Sequence, residues 1–227
     1  LSSSGLTNRS ASSASASTQV LNVYKIPVVV GCRYEPGQDA IFTTVEGTFA
    51  NTYREHEIPE VPESFLPRDI ANINRIKNHL KHLLPHRGEA RLFLDWMSWV
   101  VQNPGDHMNY AVVLQGVEGD GKSFFGMLLR AVMGITNVKM INAQSLERDF
   151  TDWSVGQCVT CIEEIRLIKH ANKYEIINRI KPMITNPIIE VHPKGKPQYN
   201  AKNTTSYLLF TNFQDALPLD DDGRRYL

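Results

Sequence analysis

No apolar run in this sequence approaches the roughly 20 residues that a membrane-spanning helix requires, so a membrane-embedded protein is not expected. Cysteine is scarce too. Cys32, Cys158 and Cys161 cannot form a disulfide framework without leaving one thiol over, and no secretory pattern opens the chain, so the expected compartment is a reducing one. Cys158 and Cys161 make a C-x-x-C, but a zinc ribbon needs a second ligand pair and none follows; the pair reads as buried strand cysteines. An excess of charge of either sign is also missing, with 24 Lys plus Arg against 24 Asp plus Glu. The overall charge therefore says nothing about a polyanionic partner, and only local clusters can.

What is present is an ordinary globular composition, 42% apolar and 21% charged over 227 residues, enough for one substantial domain with a small appendage. Residues 1–19 are Ser/Ala-rich without a periodic apolar face and are expected to be a disordered linker. Residues 20–66 read as a small β-rich unit and its connector. The runs VVVGCRY, AIFTTV and TFANTY, separated by Pro36-Gly37 and Glu46-Gly47, suggest an antiparallel hairpin unit, and Pro59, Pro62 and Pro67 space the connector. Residues 67–105 read as a helical subdomain. Asp69 is the expected cap of a helix carrying Ile70, Ile73, Ile76, Leu80, Leu83 and Leu84, and a second helix from about Gly88 to Gln102 presents Leu92, Phe93, Trp96, Trp99 and Val100 as an apolar stripe. The two tryptophans read as core. His79, His82 and His86 fall at helical spacing, but Pro85 interrupts the last step, and a solvated helix face is the reading.

Residues 106–227 read as the core. Strands at 110–115, 138–141, 157–163 and 206–211 alternate with helices at 121–133, near 144–148 and at 173–184, which predicts a mainly parallel sheet with helices on both faces. Two further strands, 188–192 and 197–203, flank a basic turn. The chain stops just after an apolar-basic stretch that looks like the start of another strand, so the core is expected to be C-terminally truncated.

Gly116-Val117-Glu118-Gly119-Asp120-Gly121-Lys122-Ser123 fits G-x-x-x-x-G-K-[ST] between a predicted strand and a predicted helix. Glycines let such a loop fold its N–H groups around phosphate, and the following helix, from Phe124 on, adds positive partial charge at its start. Lys122 is placed to reach the β and γ phosphates of ATP, and the Ser123 hydroxyl to ligate Mg²⁺. A loop of this kind needs a carboxylate at a neighbouring strand end for the metal and a second group to position water. The strand Val159 to Ile162 ends in Glu163 and Glu164, which supply both: Glu163 for the Mg²⁺ shell, Glu164 to polarise the attacking water. The strand Tyr207 to Thr211 ends in Asn212, which suits the same water or the γ-phosphate but also suits any turn. Arg224 and Arg225 follow, placed to act in a neighbouring subunit's site and so to imply a ring. Arg179, Lys181, Lys194, Lys196 and Lys202 against Glu190 make the one basic concentration, with Lys194 and Lys196 at the tip of the turn His192 to Pro197; phosphate backbones are bound by such charges without reading sequence.

In that order, the phosphate loop, the strand ending in Glu-Glu, the basic hairpin, the strand ending in Thr-Asn and the arginine pair resemble the superfamily 3 helicases, specifically the helicase part of phage and poxvirus-type primase-helicases. Phe93-Leu94-Asp95-Trp96, Val101-Gln102-Asn103-Pro104, Val113-Leu114-Gln115-Gly116 and Asn51-Thr52-Tyr53 look like the phage group. The resemblance implies an AAA+-type P-loop NTPase fold, a homo-oligomeric, hexameric ring, ATP with Mg²⁺, and translocation on single-stranded DNA in the cytoplasm of a bacterial host. Under it Lys122 and Ser123 act on nucleotide and Mg²⁺, Asn212 becomes the sensor, Lys194 or Lys196 the DNA-contacting lysine, and Arg224 or Arg225 the finger acting in trans. A P-loop phosphotransferase acting on a small molecule, or a nucleotide-gated DNA-binding module without turnover, are the alternatives.

Overall fold

Every residue of the strand Ser206–Thr211 is buried, which an apolar strand tolerates only at the centre of a covered sheet. The computed structural model describes residues 15–56, 60–146, 149–163 and 170–213. In chain order its helices are α1 (Ala16–Tyr24), α2 (Pro67–Leu83), α3 (Arg87–Gln102), α4 (Ser123–Met133) and α5 (His170–Thr185). Its strands are β1 (Gly31–Arg33), β2 (Ile41–Thr44), β3 (Gly47–Asn51), β4 (Val112–Gln115), β5 (Val138–Asn142), β6 (Val159–Glu163), β7 (Ile188–Val191), β8 (Tyr199–Lys202) and β9 (Ser206–Thr211).

The central sheet has the order β4-β9-β6-β5, and all three pairings are parallel. Alternation along its strands builds two cores. Tyr207 and Leu209 of β9 and Ile162 of β6 join Ile180, Met183 and Ile184 of α5 on one face. Leu208 and Phe210, with Val159 and Cys161, join Phe125 and Leu129 of α4 and Phe93 and Trp96 of α3 on the other. The architecture is thus mixed α/β, a parallel four-stranded sheet flanked by helices. The α4 face fits closely at Gly126, where a Cβ would lie 3.2 Å from the Cys161 sulfur.

Cys158 and Cys161 are both buried in the second of these cores, and burial pushes their thiols up to about 11 and about 12. Trp96 is buried and Trp99 partly so, both packing against that same core.

Three local readings change. The β-rich unit is a three-stranded sheet of order β1-β3-β2 in which β2 pairs antiparallel with β3 but β1 pairs parallel with it, so it is not a simple antiparallel unit. A turn can reverse the chain between β2 and β3, whereas β1 reaches β3 only across β2's segment. Asp69 does not cap α2 from outside. Pro67 occupies the first turn, where its missing N–H costs nothing, and the Asp69 carboxylate accepts from the Leu66 N–H at 3.2 Å. Helix α1, whose start is held by Ser15 Oγ accepting from the Thr18 N–H at 3.3 Å, covers residues 16–19 of the segment read as linker.

The Asn137 side chain helps to fasten the β-rich unit to the core, beside the contact of the Tyr34 hydroxyl with the Cys158 sulfur at 3.1 Å. Asn137 Oδ1 accepts from the Tyr34 hydroxyl at 2.9 Å, and its amide donates to the carbonyls of Arg54 at 2.7 Å and Met133 at 2.8 Å. Asn51 satisfies all its capacity locally, bonding Glu35, Gln38 and Tyr53 backbone groups and fixing the loop between β1 and β2. Among the described residues no helix is long and apolar enough to cross a membrane.

Candidate functional site

Parallel strands send all their carboxyl ends to one edge, and in sheets of this kind ligand sites form there. Here the loop after β4, Glu163 ending β6, and Phe210 to Asn212 ending β9 surround one cavity of about 280 Å³. The ladder register sets their heights: Gln115 pairs with Thr211, and Glu163 with Asn142. The Gly116 N–H extends the ladder by one bond, donating to the Thr211 carbonyl at 3.1 Å before the chain leaves the sheet. Because β9 intervenes, β4 and β6 are two strand spacings apart, roughly 10 Å. That gap keeps Glu163 out of contact with the loop and leaves room between them for a ligand.

The loop turns through two glycines in the left-handed region, Gly119 at φ 79° and Gly121 at φ 86°. Residues Glu118 to Ser123 all line the cavity. Lys122 and Ser123 open α4, so the positive end of that helix is aimed at it. Lys122 is 5% exposed, and its ammonium is turned back on its own loop: it donates to Asp120 Oδ1 at 2.8 Å and to the Val117 carbonyl at 2.7 Å. The same Asp120 oxygen accepts from the Lys122 backbone N–H at 3.1 Å. Asp120 and Lys122 form a buried ion pair with side chains 8% and 6% exposed.

Of the residues singled out from the sequence, Glu118, Gly119, Asp120, Gly121, Lys122, Ser123, Glu163 and Asn212 meet at this cavity. Gly116 continues the sheet, Val117 is exposed and offers only its carbonyl to Lys122, and Phe124 faces away toward α2. Glu164, Arg224 and Arg225 lie outside the described residues. Lys194 and Lys196 are exposed in the turn between β7 and β8, away from the cavity lining, with Gly195 between them at φ 70°. Among the described residues neither lysine has an ion-pair partner. The root of that hairpin is pinned: the Asn203 amide donates to the carbonyls of Met183 at 2.7 Å and Asn186 at 2.9 Å, and the His192 N–H donates to Thr151 Oγ1 at 2.8 Å. Of the basic residues read together from the sequence, Arg179 donates to the Leu146 carbonyl at 3.1 Å and approaches Asp149.

Ser123 and Glu163 share the cavity wall, and among the described residues no group of three or more His, Cys, Asp or Glu converges into a cage. One hydroxyl and one carboxylate suit Mg²⁺, which keeps water and phosphate oxygens in its shell, better than a metal needing an all-protein site.

Two features of the site were not legible in the sequence. Asp120 lies inside the motif but at a variable position, and nothing there marked it as the partner of Lys122. His79 was read as part of a solvated face. Its ring instead stacks on Phe125 at 5.6 Å and meets Phe124 edge-on, with Nε2 3.1 Å from the Gly121 carbonyl. His82 and His86 are exposed as read. The contact joins residues 42 apart in sequence, beyond the reach of any periodicity.

A family model described as a family of unknown function, DUF5906, matches residues 114–225. No curated protein matches the chain. Among solved structures, the apo structure of the NrS-1 C terminal region (305-718) is 18% identical with a TM-score of 0.74, and the match covers 92% of this chain and 50% of that one. A second, the A form apo structure of the same region, is 19% identical with a TM-score of 0.71, covering 94% of this chain and 52% of that one. This chain therefore spans about half the length of the structures it is similar to, and at these identities the likeness shows the fold.

Proposed function

We propose that the chain is the P-loop ATPase part of a replication helicase, which hydrolyses ATP and couples the hydrolysis to movement along single-stranded DNA. The observation that carries this reading is the single cavity that gathers Lys122, Ser123, Glu163 and Asn212 at the carboxyl edge of a parallel sheet. In it the loop N–H groups and Lys122 bind the phosphates, and Ser123 and Glu163 hold Mg²⁺, which neutralises phosphate charge when bound. Glu164 accepts the proton of the water that attacks the γ-phosphorus as the bond to ADP breaks, and Asn212 orients that water. Arg224 or Arg225 serves the adjacent subunit of a hexameric ring. Lys194 and Lys196, on a hairpin whose root is fixed and whose tip is solvated, contact the DNA backbone. The resemblance to phage primase-helicases supports reading this work as part of phage or prophage DNA replication, in the bacterial cytoplasm.

The test has two parts. ATP binding measured by calorimetry is expected for the chain and is expected to vanish in Lys122→Ala. Binding of a fluorescent single-stranded oligonucleotide is expected to weaken in Lys194→Ala plus Lys196→Ala, with the slope of log affinity against log salt reduced by about 1–2. An unchanged slope with unchanged affinity removes the hairpin from the DNA interface, and ATP binding that survives Lys122→Ala removes the nucleotide site.

A further inference from the structure

Beside the phosphate loop, on the side facing α2, lies a second recess of about 400 Å³ lined by Arg75, Ile76, His79, Gly121 and Phe124. Its floor is built by aromatic packing. The His79 ring lies parallel to Phe125, with an interplanar angle of 10°, and Phe124 meets it at 85°. Arg75, Ile76 and His79 sit at i, i+1 and i+4 on α2 and so share one side of that helix. The lining is almost wholly carbon. The one ring nitrogen of His79 that points inward to the loop is taken by the Gly121 carbonyl at 3.1 Å, and Arg75 contributes its aliphatic stem.

Gly121 lines both the recess and the cavity below Lys122, and Phe124 directly follows Ser123, so the two spaces lie beside the same turn of chain. A nucleotide with its phosphates in the cavity needs a flat apolar surface for its base within reach of the loop. The cavity offers none: its single aromatic, Phe210, is 2% exposed and packs in the core.

We propose that the recess between α2 and the first turn of α4 is the base subsite of the nucleotide site, holding the ring of a nucleoside triphosphate by stacking and apolar contact and leaving its edge unread. The proposal rests on the phosphate-loop reading above. Without paired donors and acceptors at the recess, ATP and GTP bind with similar strength, because discrimination between bases comes from hydrogen bonds to their edges.

The experiment compares ATP, GTP and inorganic tripolyphosphate by calorimetry on the whole chain and on Phe124→Ala, Ile76→Asp and Arg75→Ala. The expected result is that the chain binds ATP about tenfold or more tighter than tripolyphosphate. Phe124→Ala and Ile76→Asp then bring ATP down to the tripolyphosphate level while tripolyphosphate binding stays put, and GTP stays within about tenfold of ATP. If Phe124→Ala unfolds the chain, as near-ultraviolet circular dichroism will show, the half-buried Ile76 and exposed Arg75 variants carry the comparison. Equal binding of ATP and tripolyphosphate by the unmodified chain overturns the base subsite and leaves the phosphate loop standing, as does equal loss of both ligands in the variants. Binding of neither ligand overturns the phosphate-loop reading itself, and the subsite with it. A preference between ATP and GTP greater than about tenfold overturns the unread edge.

Discussion

Under the proposed nucleotide site, Asp120 occupies the group that a triphosphate has to recruit, and replacing it with Asn is the most direct probe of that proposal. In the structure Lys122 Nζ is shared between Asp120 Oδ1 at 2.8 Å and the Val117 carbonyl at 2.7 Å, with both charged side chains less than a tenth exposed. A triphosphate that engages the ammonium has to break the Asp120 contact and bring its own negative charge close to that carboxylate. A charge-assisted hydrogen bond contributes about 1.5–3 kcal/mol. Removing the charge while keeping the shape, as Asp120→Asn does, therefore raises affinity for ATP or tripolyphosphate about 10- to 100-fold. The same change leaves a buried ammonium with only neutral acceptors, so the ligand-free chain loses stability, by about 1–3 kcal/mol because the amide oxygen still accepts one bond. The two effects have opposite signs and are separable: calorimetry reads the affinity, and urea unfolding without ligand reads the stability. Asp120→Asn binding tripolyphosphate no more tightly than the unmodified chain would refute the argument, since it would mean that the carboxylate does not compete for Lys122.

Three further outcomes are expected. Gly126→Ala puts a methyl group 3.2 Å from the Cys161 sulfur and 3.4 Å from Met140 and Phe210, and is expected to destabilise the chain by about 1–3 kcal/mol in a urea melt, with nucleotide affinity unchanged once folded. Burial pushes the His107 imidazole below its ordinary value of 6.5, against smaller opposing contributions from the carbonyls of Asn203 and Thr185 and the Asp106 charge, and with a small one from Lys202 in the same direction as burial. The unfolded chain then binds the proton more readily, so the stability is whole above about pH 6.5 and is lost as the pH falls below it; His107→Gln is expected to flatten that slope in urea melts taken at successive pH values. Cys32 is exposed while the buried Cys158 and Cys161 thiols are raised to about 11 and about 12, so iodoacetamide is expected to label Cys32 in the native chain and the other two only after unfolding, as read by mass spectrometry.

The sequence by itself determined most of the elements and their order, helix α1 excepted. Apolar runs such as Tyr207 to Phe210 could only be central strands, and the observed β9 spans Ser206–Thr211. Helical periodicity placed α2 and α3 to within three residues of their ends. These are local signals, carried by side-chain period and by turn residues, and they need no partner to be read. The candidate site was legible for the same reason, because its loop is contiguous and its carboxylate and amide end apolar strands. Tertiary structure alone decided the rest. It set β9 between β4 and β6, and so opened the gap across which Glu163 faces the loop. It turned β1 parallel to β3, closed Asp120 onto Lys122, and brought His79 of α2 onto Gly121. Each of these depends on which surfaces meet when the core closes, a property of three-dimensional packing on which the residue spacing along the chain is silent.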